Sequence, residues 1–181
     1  LLGGMLLAGG AKLAALALSP AAGAGALTAP VPALSFSFVA LALLTTFIPS
    51  LAEDILTRGF LLRTVPVRLG GVAYVLSSAA LYTANHLWRL DWGLTEQVRL
   101  FCLGLAYGAA AWRWRSLWGA LALHWGWNLA DTLTGPVFTV DTISVDASRM
   151  LSGGVHLALL AIVLACRRGR RNSQPSRDPP G

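Results

Sequence analysis

The sequence has 181 residues, of which 55% are apolar and 12% are charged. Typical soluble domains have about 25% charged residues, so this composition excludes an ordinary soluble domain and also a disordered chain. The net charge of +6 is also found in nucleic-acid-binding proteins, so the positions of the basic residues must be considered before that class is excluded. The composition is that of a membrane protein.

Six apolar runs have about the length that a membrane-spanning helix needs, roughly 20 residues. Linkers rich in Pro and Gly, which continue helices poorly, separate several of these runs. We therefore expect an all-α fold, a polytopic transmembrane bundle of about six spans. The predicted spans are residues 1–18, 34–62, 71–87, 94–112, 117–133 and 151–166.

The chain divides by composition into three segments. Residues 1–32 form a predicted N-terminal membrane span and linker, and because the chain begins without Met we expect this span to be truncated or loosely held. Residues 33–166 form the predicted intramembrane core. Residues 167–181 are basic, polar and rich in Pro, which predicts a disordered tail.

The arginines indicate the orientation in the membrane, because Lys and Arg next to short loops stay in the cytoplasm. One side of the six-span arrangement collects most of them, including the five in the tail: Arg63, Arg68, Arg113, Arg115, Arg167, Arg168, Arg170, Arg171 and Arg177. The other side has three, interspersed with acids: Arg89, Arg99 and Arg149. We expect a multi-pass protein of the cell membrane with a cytoplasmic C-terminal tail. Its basic charge then reflects topology and contact with the lipid bilayer, and no nucleic acid is an expected partner.

Ionisable residues inside membrane spans suggest function, because burying them in lipid is costly. In the second span, Asp54 and Arg58 are spaced i, i+4 and can form an ion pair on one helical face. Glu53 is rotated about 100° from Asp54 and has no such partner on its own helix, as expected for a general base. The alternative is a structural cluster of these three residues at the helix end.

Two further spans carry paired polar residues at helical spacing. Tyr82 and His86 share one face of the third span, and His124 and Asn128 share one face of the fifth. Glu53 and His86 are therefore candidates to activate a water molecule, with His124 and Asn128 as donors to an oxyanion.

Three other ionisable residues are interpreted without a catalytic role. Lys12 is expected to extend to the membrane surface, and Asp131 to lie at the outer interface rather than to orient Asn128. His156 is expected to be interfacial or structural.

A metal mechanism remains an alternative, because Glu53, His86 and His124 have the residue types of a zinc site with an open position. The sequence has no His-Glu-x-x-His motif and no Gly-x-Ser-x-Gly nucleophile elbow. A serine mechanism is therefore not expected.

Counting about 1.5 Å per residue from the cytoplasmic helix ends puts Glu53 and His124 at about 15 Å depth and His86 at about 25 Å. For these residues to meet, we expect helix tilt, a span that begins in the cytoplasm, or a helix break near Ser77 and Ser78.

These residues resemble the motifs of the CAAX protease and bacteriocin-processing (CPBP, or Abi) family of intramembrane proteases. The segment Glu53-Asp-Ile-Leu-Thr-Arg-Gly is similar to Glu-Glu-x-x-x-Arg-Gly, Tyr82-Thr-Ala-Asn-His to Phe-x-x-x-His, and His124-Trp-Gly-Trp-Asn to His-x-x-x-Asn. Each motif is short, but all three occur in order on successive helices. The resemblance covers about residues 45–133 and includes the segment Gly104-Leu-Ala-Tyr-Gly.

The resemblance implies a glutamate-dependent intramembrane endopeptidase of bacterial type, with no cofactor and zinc as an open alternative. Its implied catalytic residues are Glu53, His86, His124 and Asn128, supported by Asp54, Arg58 and Tyr82. Asp54 replaces the second Glu of the first motif and Tyr82 replaces the Phe of the second, and neither change touches the four catalytic positions. The expected substrates are membrane proteins or secreted peptides. The resemblance does not define the oligomeric state of the protein itself. The competing hypotheses are a catalytically silent scaffold or bacteriocin-immunity protein, and a small proton-coupled transporter.

Overall fold

A computed structural model describes residues 1–28, 34–64 and 70–166, and helices dominate it. Helices occur at all six predicted positions, which agrees with the expected all-α fold. A π-helical turn at Ile55–Gly59 interrupts the helix of the second predicted span, and a 3-10 turn at Leu87–Trp92 lies between the helices of the third and fourth. The α-helices are α1 Leu2–Leu18, α2 Phe36–Asp54, α3 Phe60–Thr64, α4 Gly71–Ala84, α5 Leu94–Trp114, α6 Leu117–Thr134 and α7 Val145–Ala165.

One short pair of strands joins two of the linkers between the predicted spans. Strand β1, Gly25–Thr28, runs antiparallel to β2, Thr139–Thr142, with Gly25 opposite Thr142. Strands of four residues carry little periodic signal, and these two pair across more than a hundred residues of chain. The pairing connects the segment after α1 to the segment after α6.

Helix α5 lies at the centre of the bundle, with α4, α6 and α7 packed around it. Its second half is lined by small buried residues, which let neighbouring helices approach closely. A Cβ atom at Gly104 would lie 2.6 Å from the Cα of Ala79 on α4, so the close approach of α4 and α5 requires glycine there. This approach brings Tyr82 of α4 near Tyr107 of α5, with ring centroids 6.2 Å apart.

Helix α1 packs against α6. A Cβ atom at Gly126 would lie 2.7 Å from the Cα of Met5, so the two helix backbones are in close contact. Lys12 forms an ion pair with Asp131 and lies over the ring of Trp127, 5.5 Å from its centroid. Asp131 therefore pairs with Lys12. Helix α1 therefore packs on the predicted core 33–166. The boundary predicted between residues 1–32 and this core stays a prediction.

A buried carboxylate connects the first turn of α5 to its neighbours. The Glu96 side chain is 1% exposed and forms ion pairs with Arg89 at 3.2 Å, Arg99 at 2.5 Å and Arg149 at 3.2 Å. Arg149 is on α7 and Arg89 is in the 3-10 turn. The three arginines predicted for the outer side of the bundle thus surround one acid.

Two stretches in the described part of the chain are long and apolar enough to cross a membrane, Phe36–Thr64 and Val145–Ala165. Only 17% and 22% of their most apolar windows are buried inside the protein, so most of that apolar surface faces outward. Helices α1 and α4 are apolar but shorter. The number of six membrane spans therefore stays a prediction.

Helix α4 is unbroken from Gly71 to Ala84, so a break at Ser77 and Ser78, one of the three explanations expected for the difference in depth, is excluded. His86 lies in the turn that follows α4 rather than within the helix. The predicted tail at residues 167–181 and the linkers 29–33 and 65–69 lie outside the described residues. The cytoplasmic orientation of the tail stays a prediction.

Candidate active site

Glu53 lies in the last turn of α2, where the turn after α4 and helix α6 bring one histidine each to its side chain. Its Oε2 atom is 3.8 Å from Nε2 of His86 and 3.7 Å from Nε2 of His124. Both distances exceed the usual hydrogen-bond range, so neither ring holds the carboxylate directly. The Glu53 side chain is 25% exposed, whereas the two histidine side chains are 6% and 2% exposed. The carboxylate is thus open to an incoming group, and the rings form the wall beside it.

Asp54 and Arg58 form the i, i+4 ion pair that their spacing predicts, and both side chains are fully buried. Arg58 lies in the π-helical turn, a local irregularity that is frequent at functional sites. Its guanidinium group lies over the rings of Tyr82 and Tyr107, at 4.8 Å and 5.2 Å from their centroids. The positive charge is therefore compensated on one side by a carboxylate and on the other by aromatic faces.

Asp54 also fixes the orientation of the His124 ring. Nδ1 of His124 lies 3.1 Å from Oδ1 of Asp54, and a carboxylate only accepts, so Nδ1 carries a proton. In the neutral ring the lone pair is then on Nε2, the nitrogen that faces Glu53. The hydroxyl of Tyr82 lies 3.5 Å from the same nitrogen.

His86 is oriented in the same sense by its own helix end. Its Nδ1 atom lies 2.8 Å from the backbone carbonyl of Tyr82, which can only accept, so Nδ1 is again the protonated nitrogen. The Nε2 lone pair of His86 is directed towards the side of Glu53. The Nε2 atoms of two imidazole rings and one carboxylate therefore face a common space.

Asn128, the fourth predicted catalytic residue, is held one turn away from Glu53. Its Nδ2 atom donates to the hydroxyl of Ser50 at 3.0 Å, and Ser50 precedes Glu53 by three residues on α2. Asn128 and His124 lie on one face of α6. The structure thus brings Asn128 to the same side of α2 as Glu53, through Ser50 rather than through direct contact.

Two residues near the site carry no role in the sequence analysis. Ser50 anchors Asn128, and the i, i+3 relation to Glu53 is the signal that identifies it. Tyr107 is fully buried, and its ring stacks on that of His124 with centroids 4.9 Å apart and planes inclined by 20°. Tyr107 lies in the segment Gly104-Leu-Ala-Tyr-Gly, which is part of the resemblance. The sequence alone does not show that its ring contacts His124.

The donor types at the site match those of zinc enzymes. Within residues 1–28, 34–64 and 70–166, no group of three or more His, Cys, Asp or Glu side chains is arranged to hold a metal ion. The separations of 3.7 and 3.8 Å from Glu53 to the two nitrogens are longer than the roughly 3.3–3.5 Å between neighbouring ligand atoms of a tetrahedral zinc site. If zinc bound here, Glu53, His86 and His124 would be the residues to hold it.

The helices and the two apolar stretches of membrane-spanning length define an α-helical protein that brings one glutamate and two histidines together. A family model described as "Type II CAAX prenyl endopeptidase Rce1-like" matches residues 35–130, more than half of the chain. The chain belongs to this Rce1-like family, which is membrane-embedded and confirms the resemblance to CAAX-type proteases. No curated protein and no solved structure matches the chain.

The matched range has a clear relation to the site. It contains α2 to α5 and most of α6, and with them Glu53, His86, His124 and Asn128. Helices α1 and α7 lie outside it.

Proposed function

We propose that this protein is an intramembrane endopeptidase that hydrolyses peptide bonds with a water molecule activated by Glu53 and His86. The observation that supports it is the convergence of the Glu53 carboxylate with Nε2 of His86 and Nε2 of His124, at 3.8 and 3.7 Å. Membership of the Rce1-like family supports a protease of CAAX type.

In the proposed reaction, water donates one proton to Glu53 and directs its second hydrogen to Nε2 of His86. The water oxygen attacks the carbonyl carbon of the scissile peptide bond, and the carbonyl oxygen takes up the electron pair as an oxyanion. The carbon–nitrogen bond then breaks, and Glu53 passes its proton to the leaving amine. Glu53 thus acts first as general base and then as general acid.

The oxyanion is assigned to His124 and Asn128. His124 donates to the oxyanion from Nε2 in the form that carries a proton on both ring nitrogens, and its Nδ1–H is held by the carboxylate of Asp54 at 3.1 Å. Asn128 contributes an amide N–H from the same face of α6. Donors of this kind stabilise the transition state because they are oriented before charge develops.

The proposed substrate class is supported by the family match and by the two apolar stretches of membrane-spanning length. We propose membrane-associated or secreted peptides as substrates of this bacterial-type enzyme. The family description names CAAX prenyl endopeptidases, so peptides ending in a prenylated cysteine and three residues belong in the same substrate panel.

A zinc-dependent form of the same hydrolysis is the second candidate. The observation that favours it is that both histidines donate through Nδ1, to a carbonyl and to a carboxylate, and leave Nε2 free to bind a metal. In that form Glu53, His86 and His124 would be ligands, and the metal would supply Lewis acidity.

The experiment is product analysis with the purified full chain in detergent or in liposomes. A panel of quenched-fluorescent peptides, with and without a C-terminal prenylcysteine segment, is incubated in water enriched in oxygen-18. Hydrolysis predicts two fragments, one with a free amine and one with a new carboxylate that contains oxygen-18. Binding without cleavage, by folded protein and across the whole panel, would contradict the proposal and favour the scaffold hypothesis.

A further inference from the structure

We propose that Tyr107 and His156 form a positioning pair through which α7 holds the ring of His124 in its working orientation. The inference rests on the proposed function, because it assigns a role to residues that support His124. Helix α7 lies outside the matched residues 35–130, so this contribution comes from a part of the chain that the family model does not describe.

His156 is fully buried, and its two nitrogens have different partners. Nδ1 lies 2.8 Å from the backbone carbonyl of Ser152, one turn earlier on α7. Because a carbonyl only accepts, Nδ1 carries the proton, and Nε2 of the neutral ring is an acceptor. Of the two expected interpretations of His156, interfacial or structural, its complete burial supports the structural one.

The hydroxyl of Tyr107 meets this acceptor. Its oxygen lies 2.9 Å from Nε2 of His156, so the tyrosine donates and the histidine accepts. The ring of Trp127 packs edge-on against His156, with centroids 4.3 Å apart, and limits its movement. The direction of the hydrogen bond is thus determined by the Ser152 carbonyl on α7.

The tyrosine ring transmits this constraint to the site. Tyr107 is fully buried and stacks on His124 with centroids 4.9 Å apart. Arg58 lies 5.2 Å from the centroid of the same ring. The hydrogen bond at one end of Tyr107 therefore limits rotation of a ring that contacts both His124 and the partner of Asp54.

The pair accounts for two buried polar groups that the proposed reaction does not use. Neither Tyr107 nor His156 touches the scissile bond in this scheme. Both act through His124. Removing either side chain is expected to change the orientation of the His124 ring and to leave substrate binding nearly unchanged.

The first readout is histidine NMR of the full chain labelled with nitrogen-15 in its imidazole rings. The sequence has three histidines, so each resonance is assignable by single substitution. In the wild type, His156 should show the neutral form protonated at Nδ1. Tyr107→Phe should shift the Nε2 resonance of His156 and also the resonances of His124, and His156→Gln should shift those of His124.

The second readout is kinetic. Tyr107→Phe should lower kcat by about 2- to 10-fold, the free energy of one hydrogen bond, with KM nearly unchanged. His156→Leu should cost about as much, and the double variant Tyr107→Phe/His156→Leu should cost no more than the larger single effect. Thr134→Val is the control, since its hydroxyl donates to the backbone carbonyl of Ala130 on its own helix at 2.7 Å and its loss should leave kcat unchanged.

Two results would overturn the inference. One is a set of His124 resonances that does not change in Tyr107→Phe or in His156→Gln. The other is a double variant whose loss of kcat is the product of the two single losses. An inactive wild type with coupled His124 and His156 resonances would instead contradict the proposed function and leave the positioning pair supported.

Discussion

Glu53 and Asp54 are consecutive residues whose carboxylates have opposite surroundings. Asp54 is fully buried and contacts both Arg58 and Nδ1 of His124. Glu53 is 25% exposed and lies 3.7 and 3.8 Å from two imidazole nitrogens. The first carboxylate therefore orients the site, and the second is free to exchange a proton.

The orienting role predicts a loss of stability when Asp54 is changed. Asp54→Asn leaves the fully buried guanidinium of Arg58 without its carboxylate. Breaking a buried pair in this way costs about 3–5 kcal/mol of unfolding free energy. Unfolding in detergent, monitored by tryptophan fluorescence, should show this loss, while Asp54→Glu should retain most of the stability. Equal stability of Asp54→Asn and the wild type would contradict the assignment.

The arrangement around Asn128 predicts a graded effect on turnover. Asn128→Ala removes a proposed oxyanion donor and should lower kcat by about 100- to 1,000-fold. Ser50→Ala removes only the 3.0 Å hydrogen bond that anchors the amide and should lower kcat by about 2- to 10-fold. Steady-state kinetics on one fluorogenic peptide measures both. A larger loss in Ser50→Ala than in Asn128→Ala would be inconsistent with an oxyanion role.

The helices and the identities of the candidate catalytic residues could be predicted from sequence because they depend on local signals. Six apolar runs gave the positions of the seven described α-helices, with α2 and α3 both beginning in the second run, and three motifs at helical spacing gave Glu53, His86, His124 and Asn128 as candidates. The partners of Asn128 and His156 could not be predicted, because they depend on which residues of other helices face them. Ser50 and Tyr107 carry no motif of their own. The need for glycine at position 104 is visible only once the backbone of Ala79 is known to lie against it.

The π-helical turn and the β1–β2 pair were unpredictable for related reasons. Nothing in Ile-Leu-Thr-Arg-Gly distinguishes a π turn from an α turn before the surrounding contacts are known. The strands are four residues each and pair across the bundle. Tertiary contacts determine both features.

Metal removal separates the two proposed mechanisms. If Glu53 is the base, treatment with a strong chelator followed by dialysis should leave kcat unchanged. The measurement compares treated and untreated enzyme on the same peptide, with elemental analysis of both samples. Loss of turnover that zinc restores would instead establish the metal-dependent form and make Glu53 a ligand.

Glu96 predicts a change in stability without a change in chemistry. Glu96→Gln removes the one carboxylate that Arg89, Arg99 and Arg149 share, so the midpoint of thermal unfolding should fall. The arginine side chains are 18–23% exposed, so solvent reduces the loss to less than the roughly 3–5 kcal/mol of a fully buried pair. At a temperature where the variant is folded, its kcat should equal that of the wild type. A large fall in kcat with an unchanged midpoint would place Glu96 in the reaction instead.

The most direct test of the account is the turnover of Glu53→Gln beside the wild type, with both proteins purified and reconstituted in the same lipid. Glutamine keeps the shape of the side chain but cannot accept a proton, so kcat should fall by about 1,000-fold or more. Asp146→Asn changes an exposed acid at the start of α7 and should retain full turnover. Wild-type turnover in folded Glu53→Gln would contradict the claim that Glu53 activates the water.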